Sequence, residues 1–376
     1  MGCSVRRRAC PWQPPSDRPI TKMRAPHSRT THRYTTSSAY EQTLDIYSPV
    51  DPPSDKDLPL VVLVVGSAWL GHRFFIYRFC SWWNSSGPAS IARLGCVCVC
   101  VRHRGSFPRL QPPFWLVAIL AAVYLYSWST AVAVALGGCI ALYPLAYGAA
   151  DHEQMLEDVS NALVWVREHR TDKLLIAPGA TAAAGRLVFG GYSSGAHVAA
   201  SLLARPDLLS KANLKIDGVL HLSGVLGVRE TSVVETWARH IPTQIVKMVF
   251  GSEGAAALPS PVDDTNKLPL LPHLLIHCKH EVFNLQPIER GMGVMFCSEV
   301  YEQRLAARGM EVLRLPVDSD HWNILDSSNF AAALQTAFVE QKWPPSHFSD
   351  GWKHVRQLTG WKQLEEWVAA EHPWGK

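Results

Sequence analysis

A serine hydroxyl is a weak nucleophile at neutral pH. It needs a base to take its proton and donors to hold the oxyanion it creates. The run Gly191-Tyr192-Ser193-Ser194-Gly195 has the spacing to present such a serine. Apolar Leu187-Val188-Phe189 leads into it, and a small-residue stretch, Ala196 to Leu203, follows. A GxSxG run between strand and helix forces a sharp corner, and its glycines leave room for the strained backbone. The pentapeptide alone is weak, because a Gly/Ser loop with Ser193 as a helix cap has the same composition. The strand–turn–helix setting favours the nucleophile.

The base belongs after the serine in the chain, and the acid lies between them. His321, in Asp320-His321-Trp322-Asn323, follows the apolar stretch 312–315 across a short loop. The chain has 16 histidines, so the competing reading is an exposed loop histidine. His197 is near Ser193 in sequence, but it reads as a packing residue on the helix. Glu281 follows the apolar stretch 274–276, where a carboxylate would orient the imidazole and stabilise its charged form. Asp318 and Asp320 are nearer His321 in sequence but share its own loop. One oxyanion donor is the backbone N–H of Ser194. The other is the N–H of Ser67 or Ala68, in Gly66-Ser67-Ala68-Trp69 at the end of a Val-rich strand. This chemistry requires no metal and no organic cofactor.

The elements that must position these groups follow from periodicity. Strands are predicted at 44–49, 60–65, 96–101, 187–189, 219–222, 274–276 and 312–315. Several are continuous apolar runs, the pattern of strands buried on both faces. Helices are predicted at about 74–93, 154–169, 196–203, 234–249, 298–308 and 330–340. Met155, Leu156, Val159, Ala162, Leu163 and Val166 make one face of the second. Alternating strands and helices imply an α/β fold, with a mostly parallel central sheet and helices on both faces. The Ala- and Gly-rich stretch 171–185 reads as a surface loop.

Composition narrows the class further. The chain has 376 residues, 47% hydrophobic and 18% charged, with a net charge of +4. So small a charge does not suggest nucleic-acid binding. The charged share is below the usual ~25% of soluble domains, which directs attention to membrane segments. Nine cysteines are present. Cys96, Cys98 and Cys100 alternate with valines and should share one buried face as structural thiols. Residues 1–40 are basic and rich in Ser, Thr and Pro, and read as a disordered arm or an organelle transit peptide. Met1-Gly2-Cys3 is followed by Arg6, against the myristoylation pattern, while Cys3 remains open to palmitoylation. The α/β domain should span 41–342, with a Trp-rich tail over 343–376.

Phe114 to Tyr147 is an uncharged apolar insert of about 34 residues. A single membrane pass would put strands of one sheet on opposite sides of a bilayer. Two passes would leave arms of about 15 residues, or ~23 Å, against a hydrocarbon core of ~30 Å. The insert therefore reads as a short or re-entrant helical hairpin anchoring the domain to a membrane; the alternative is a hydrophobic lid over an acyl pocket.

Taken together, these segments resemble the α/β-hydrolase superfamily, in its carboxylesterase-like branch with prenylcysteine methylesterases and kynurenine formamidase. The resemblance rests on Leu44-Asp45-Ile46-Tyr47-Ser48-Pro49, Gly66-Ser67-Ala68-Trp69, Gly191 through His197, Leu222-Ser223-Gly224-Val225, Ser260-Pro261 and Leu275-Ile276-His277. The family's oxyanion loop usually reads His-Gly-Gly-x-Trp; this chain has Val65 and Ser67 in place of the histidine and one glycine. The acid turn usually holds Asp, and Glu281 is longer. The resemblance implies a carboxylic-ester hydrolase with Ser193, His321 and Glu281 as its triad. With the insert, it implies a lipophilic ester as substrate, such as a prenylcysteine methyl ester or an acyl lipid, and a membrane of the endomembrane system as location. An amidase of the formamidase kind and a catalytically silent membrane-bound scaffold are the alternatives.

Overall fold

The computed structural model describes residues 27–37, 41–49, 59–72, 87–106, 150–170, 186–228, 246, 247, 249, 250, 253, 254, 256–280, 297–321, 323–340 and 343. Eight strands form one sheet: β1 (His27–Arg33), β2 (Thr43–Pro49), β3 (Leu60–Val64), β4 (Val97–Val101), β5 (Leu187–Tyr192), β6 (Gly218–Leu222), β7 (His273–His280) and β8 (Val312–Asp320). Their order across the sheet is β1-β2-β4-β3-β5-β6-β7-β8. The β1–β2 and β2–β4 pairs are antiparallel, and the rest are parallel. The mostly parallel α/β sheet expected from the alternating pattern is present.

Period-two alternation sends the strand residues to two cores. Val62, Val64, Val97, Val99 and Phe189 join the apolar faces of α1 (His152–His169) and α2 (Ser194–Leu203), together with residues of α3 (Pro206–Ala212) and α4 (Ser298–Ala307). Val61, Leu63, Cys96, Cys98 and Cys100 face the other way. There they meet Ala89, Ile91 and Ala92 of a helical segment at 87–93, and Phe330 and Leu334 of α5 (Ser328–Gln335). The three alternating cysteines thus share one buried face, where burial raises the thiol pKa values of Cys96 and Cys98.

Several boundaries differ from the sequence reading for local reasons. Residues 27–33 were expected within a disordered arm, yet they form the edge strand β1. Its side chains have a buried partner to order them: Arg29 donates to Asp45 at 2.7 Å and Thr31 donates to Asp45 at 2.6 Å, while buried Arg102 pairs with the same carboxylate. Helix α1 begins earlier than 154 because Asp151 caps it. The Asp151 carboxylate accepts from Gln154 N–H at 2.8 Å, and Gln154 Oε1 accepts from Asp151 N–H at 3.1 Å, a reciprocal capping box. Strand β8 runs through Pro316, which an edge strand tolerates because one row of its N–H groups has no ladder partner. Trp343 is buried and packs against Phe338.

The insert 114–147, the loop 171–185, most of the predicted helices at 74–93 and 234–249, and the tail beyond Trp343 lie outside the described residues. Among the described residues no helix is long and apolar enough to cross a membrane.

Candidate active site

Ser193 sits at the corner between β5 and α2, with φ 55° and ψ −127°. A non-glycine residue in that region carries about 1–3 kcal/mol of backbone strain, held by its surroundings. Ser193 N–H donates to Leu222 O at 2.9 Å, and Val225 N–H donates to Ser193 O at 3.0 Å, which fixes the corner against the end of β6. The flanking glycines are required by close approach. A Cβ on Gly191 would lie 2.4 Å from the Gly195 carbonyl carbon, and one on Gly195 would lie 2.2 Å from Val64 O.

His321 follows directly on β8 and is buried. Its Nε2 lies 2.9 Å from Ser193 Oγ, within hydrogen-bond reach although the two residues are 128 apart in sequence. With Nε2 as acceptor, the imidazole can take the serine proton. Tyr192 steadies the ring: its hydroxyl donates to the His321 carbonyl oxygen at 2.6 Å, and the two rings stack.

Glu281 lies outside the described residues. Strand β7 ends at His280, immediately before it, and His280 is in register with Asp320, the residue before His321. The two other carboxylates have neighbours of their own. Asp318 lies 3.1 Å from His280 Nε2 on the surface, and Asp320 accepts from the Asn323 backbone and side chain at 2.9 and 2.7 Å.

The loop Gly66 to Trp69 abuts the corner. A Cβ on Gly66 would lie 2.7 Å from Tyr192 O and 2.8 Å from the Ser193 Cβ, so only glycine permits this approach. Ser67 and Ala68 were equal candidates for the second oxyanion donor. Ser67 N–H is already engaged, donating to the Ser194 hydroxyl oxygen at 3.0 Å. That leaves Ala68 N–H and Ser194 N–H, for which no acceptor is found among the described residues. Ala68 and Trp69 take φ 50° and 60°, left-handed conformations on non-glycine residues.

His197 is more than a packing residue. It is fully buried, its Nδ1 accepts from the Trp69 indole N–H at 3.2 Å, and its Nε2–H donates to Pro259 O at 2.9 Å. This pattern needs the neutral ring, and burial lowers its pKa to about 4. The usable sequence signal was position: residues i and i+3 of one helix share a face, so His197 lies beside Ser194 under the loop.

No family model matches the chain, and no curated protein matches its sequence. Solved structures do resemble it. One is esterase B from Lactobacillus rhamnosis, with TM-score 0.51 and 13% identity over 93% of this chain and 90% of that one. The same esterase inhibited by a tributyrin phosphonate gives TM-score 0.50 and 14% identity over 94% and 91%. A truncated carbohydrate esterase from gut microbiota gives 0.52 and 16% over 85% and 98%. At such identities the likeness concerns the backbone alone, and this chain has the α/β fold of those esterases.

Proposed function

We propose that this protein is a serine hydrolase that cleaves carboxylic esters through an acyl-enzyme. The observation that carries the reading is the 2.9 Å approach of His321 Nε2 to Ser193 Oγ at a strained strand-to-helix corner. Ser193 Oγ attacks the ester carbonyl carbon as its proton passes to His321. The oxyanion of the tetrahedral adduct is held by Ala68 N–H and Ser194 N–H. The adduct collapses, the C–O bond breaks, and His321 returns the proton to the leaving alcohol. Water then attacks the acyl-enzyme by the same route, releasing the acid and restoring Ser193. Glu281 orients His321 and stabilises the imidazolium. The esterase identity of the structural neighbours supports the ester class.

The substrate is proposed to be lipophilic, a prenylcysteine methyl ester or an acyl ester, with the apolar insert as membrane anchor. The resemblance of the Gly66-Ser67-Ala68-Trp69 loop to prenylcysteine methylesterases supports this choice.

A fluorophosphonate probe tests the assignment. The wild-type protein should label and Ser193→Ala should not. Equal labelling would remove Ser193 as nucleophile, and an unlabelled wild type would favour the silent scaffold. Turnover of short against long acyl esters, and of esters against formamides, then tests the substrate class.

A further inference from the structure

The Ser194 side chain is tied to the loop that should bind the oxyanion. Its Oγ accepts from Ser67 N–H at 3.0 Å and from Trp69 N–H at 3.3 Å. A hydroxyl oxygen has two acceptor positions, and both are filled. These two N–H groups flank Ala68, whose own N–H is left for the reacting oxygen. One turn further along α2, His197 Nδ1 takes the Trp69 indole proton at 3.2 Å. The elbow helix therefore presents two acceptors, three residues apart, to one short loop.

The loop needs such a holder. Ala68 and Trp69 both have positive φ, at 50° and 60°. For L-residues this region costs roughly 1–2 kcal/mol each, a cost glycine escapes. A loop of Ser, Ala and Trp has no glycine at these two positions, so outside contacts must keep it from relaxing. Ser106 grips the far side, its N–H and hydroxyl donating to Trp69 O at 2.9 and 3.1 Å. Within the loop, Leu70 N–H donates to Ser67 O at 3.0 Å and Gly71 N–H to Ser67 Oγ at 3.2 Å, while the Ser194 contacts tie both sides of Ala68 to the elbow helix.

We infer that the Ser194 hydroxyl is a positioning residue for the oxyanion loop, aiming Ala68 N–H at the carbonyl oxygen of the substrate. The inference rests on the ester-hydrolase reading. It is distinct from the role of the Ser194 backbone N–H, which any residue there except proline would supply.

Ser194→Ala keeps that N–H and deprives Ser67 and Trp69 of their acceptor; Ser194→Cys keeps a weaker acceptor. Each is compared with wild type for kcat, for KM, and for the affinity of a trifluoromethyl ketone, which forms a tetrahedral adduct on the serine. A misdirected oxyanion donor costs on the order of 10²-fold in kcat. Ser194→Ala should lose that much, with KM within about twofold and ketone affinity falling in step with kcat. Ser194→Cys should lie between the two, and it carries the test if Ser194→Ala does not fold. Unchanged kcat and ketone affinity in a folded variant would overturn the inference while leaving the hydrolase reading intact. A wild type that neither labels with fluorophosphonate nor turns over esters would overturn both.

Discussion

The Tyr192 hydroxyl donates to the backbone carbonyl of His321 at 2.6 Å, and the two rings stack with centroids 5.3 Å apart. The residue before the nucleophile thus holds the proposed base. Tyr192→Phe keeps the stacked ring and removes the donor, leaving a buried carbonyl without that partner. A buried hydrogen bond is worth about 1 kcal/mol, and 1.4 kcal/mol is a factor of ten in rate. The variant should lose roughly five- to tenfold in kcat/KM toward a chromogenic ester while remaining folded. An unchanged kcat/KM would show that His321 is positioned without Tyr192.

Backbone strain at Ser193 predicts an inverted glycine effect. Ser193 has φ 55°, where glycine is at ease and alanine is not. Replacing alanine with glycine usually destabilises, because glycine loses more backbone freedom on folding. Here the order should reverse, with Ser193→Gly more stable than Ser193→Ala by about 1 kcal/mol and neither variant active. Urea midpoints of the two proteins make the comparison. A less stable glycine variant would contradict the strained corner.

Buried histidines predict acid lability. Burial lowers the pKa of His197 to about 4 and of His221 to about 3, and it lowers those of His72, His103, His152 and His273 as well. The unfolded chain titrates near 6.5, so below that pH it binds protons that the folded state refuses. Stability is therefore fully present above about pH 6.5 and falls as pH drops toward the folded values. At pH 5 each histidine that stays neutral costs about 2 kcal/mol. Urea unfolding at pH 7.5 and pH 5.0 measures the loss. His221→Phe should shrink it, because His221 stacks on His273 and has no hydrogen-bond partner among the described residues. A pH-independent midpoint would rule out neutral burial.

The insert supplies a separate test. If Phe114 to Tyr147 anchors the domain as a membrane hairpin, carbonate-washed membranes should retain the protein, and deleting the insert should release it. Complete release of the intact chain by carbonate would exclude an integral anchor and leave a lid over the acyl pocket.

The sequence alone determined much of this architecture. Continuous valine and leucine runs marked the buried strands, because a strand covered on both faces needs apolar side chains at every position. Alternation alone put Cys96, Cys98 and Cys100 on one face. The corner at Ser193 was legible because close backbone contacts demand glycine at 191 and 195. Element ends were less clear where the cause was a partner distant in sequence. β1 is ordered by Asp45, a carboxylate that also draws in Arg102 from the end of β4. Tertiary structure decided the details of the site. Chain order pointed to His321, directly after the last apolar strand, but its 2.9 Å approach to Ser193 Oγ, 128 positions away, exists only in the folded sheet. The use of Ser194 Oγ by Ser67 N–H, which singles out Ala68, depends on the loop after β3 reaching the start of α2. Local pattern records what a residue's own backbone and burial require; which residues meet is settled by packing between segments more than 100 positions apart, and no periodicity encodes that.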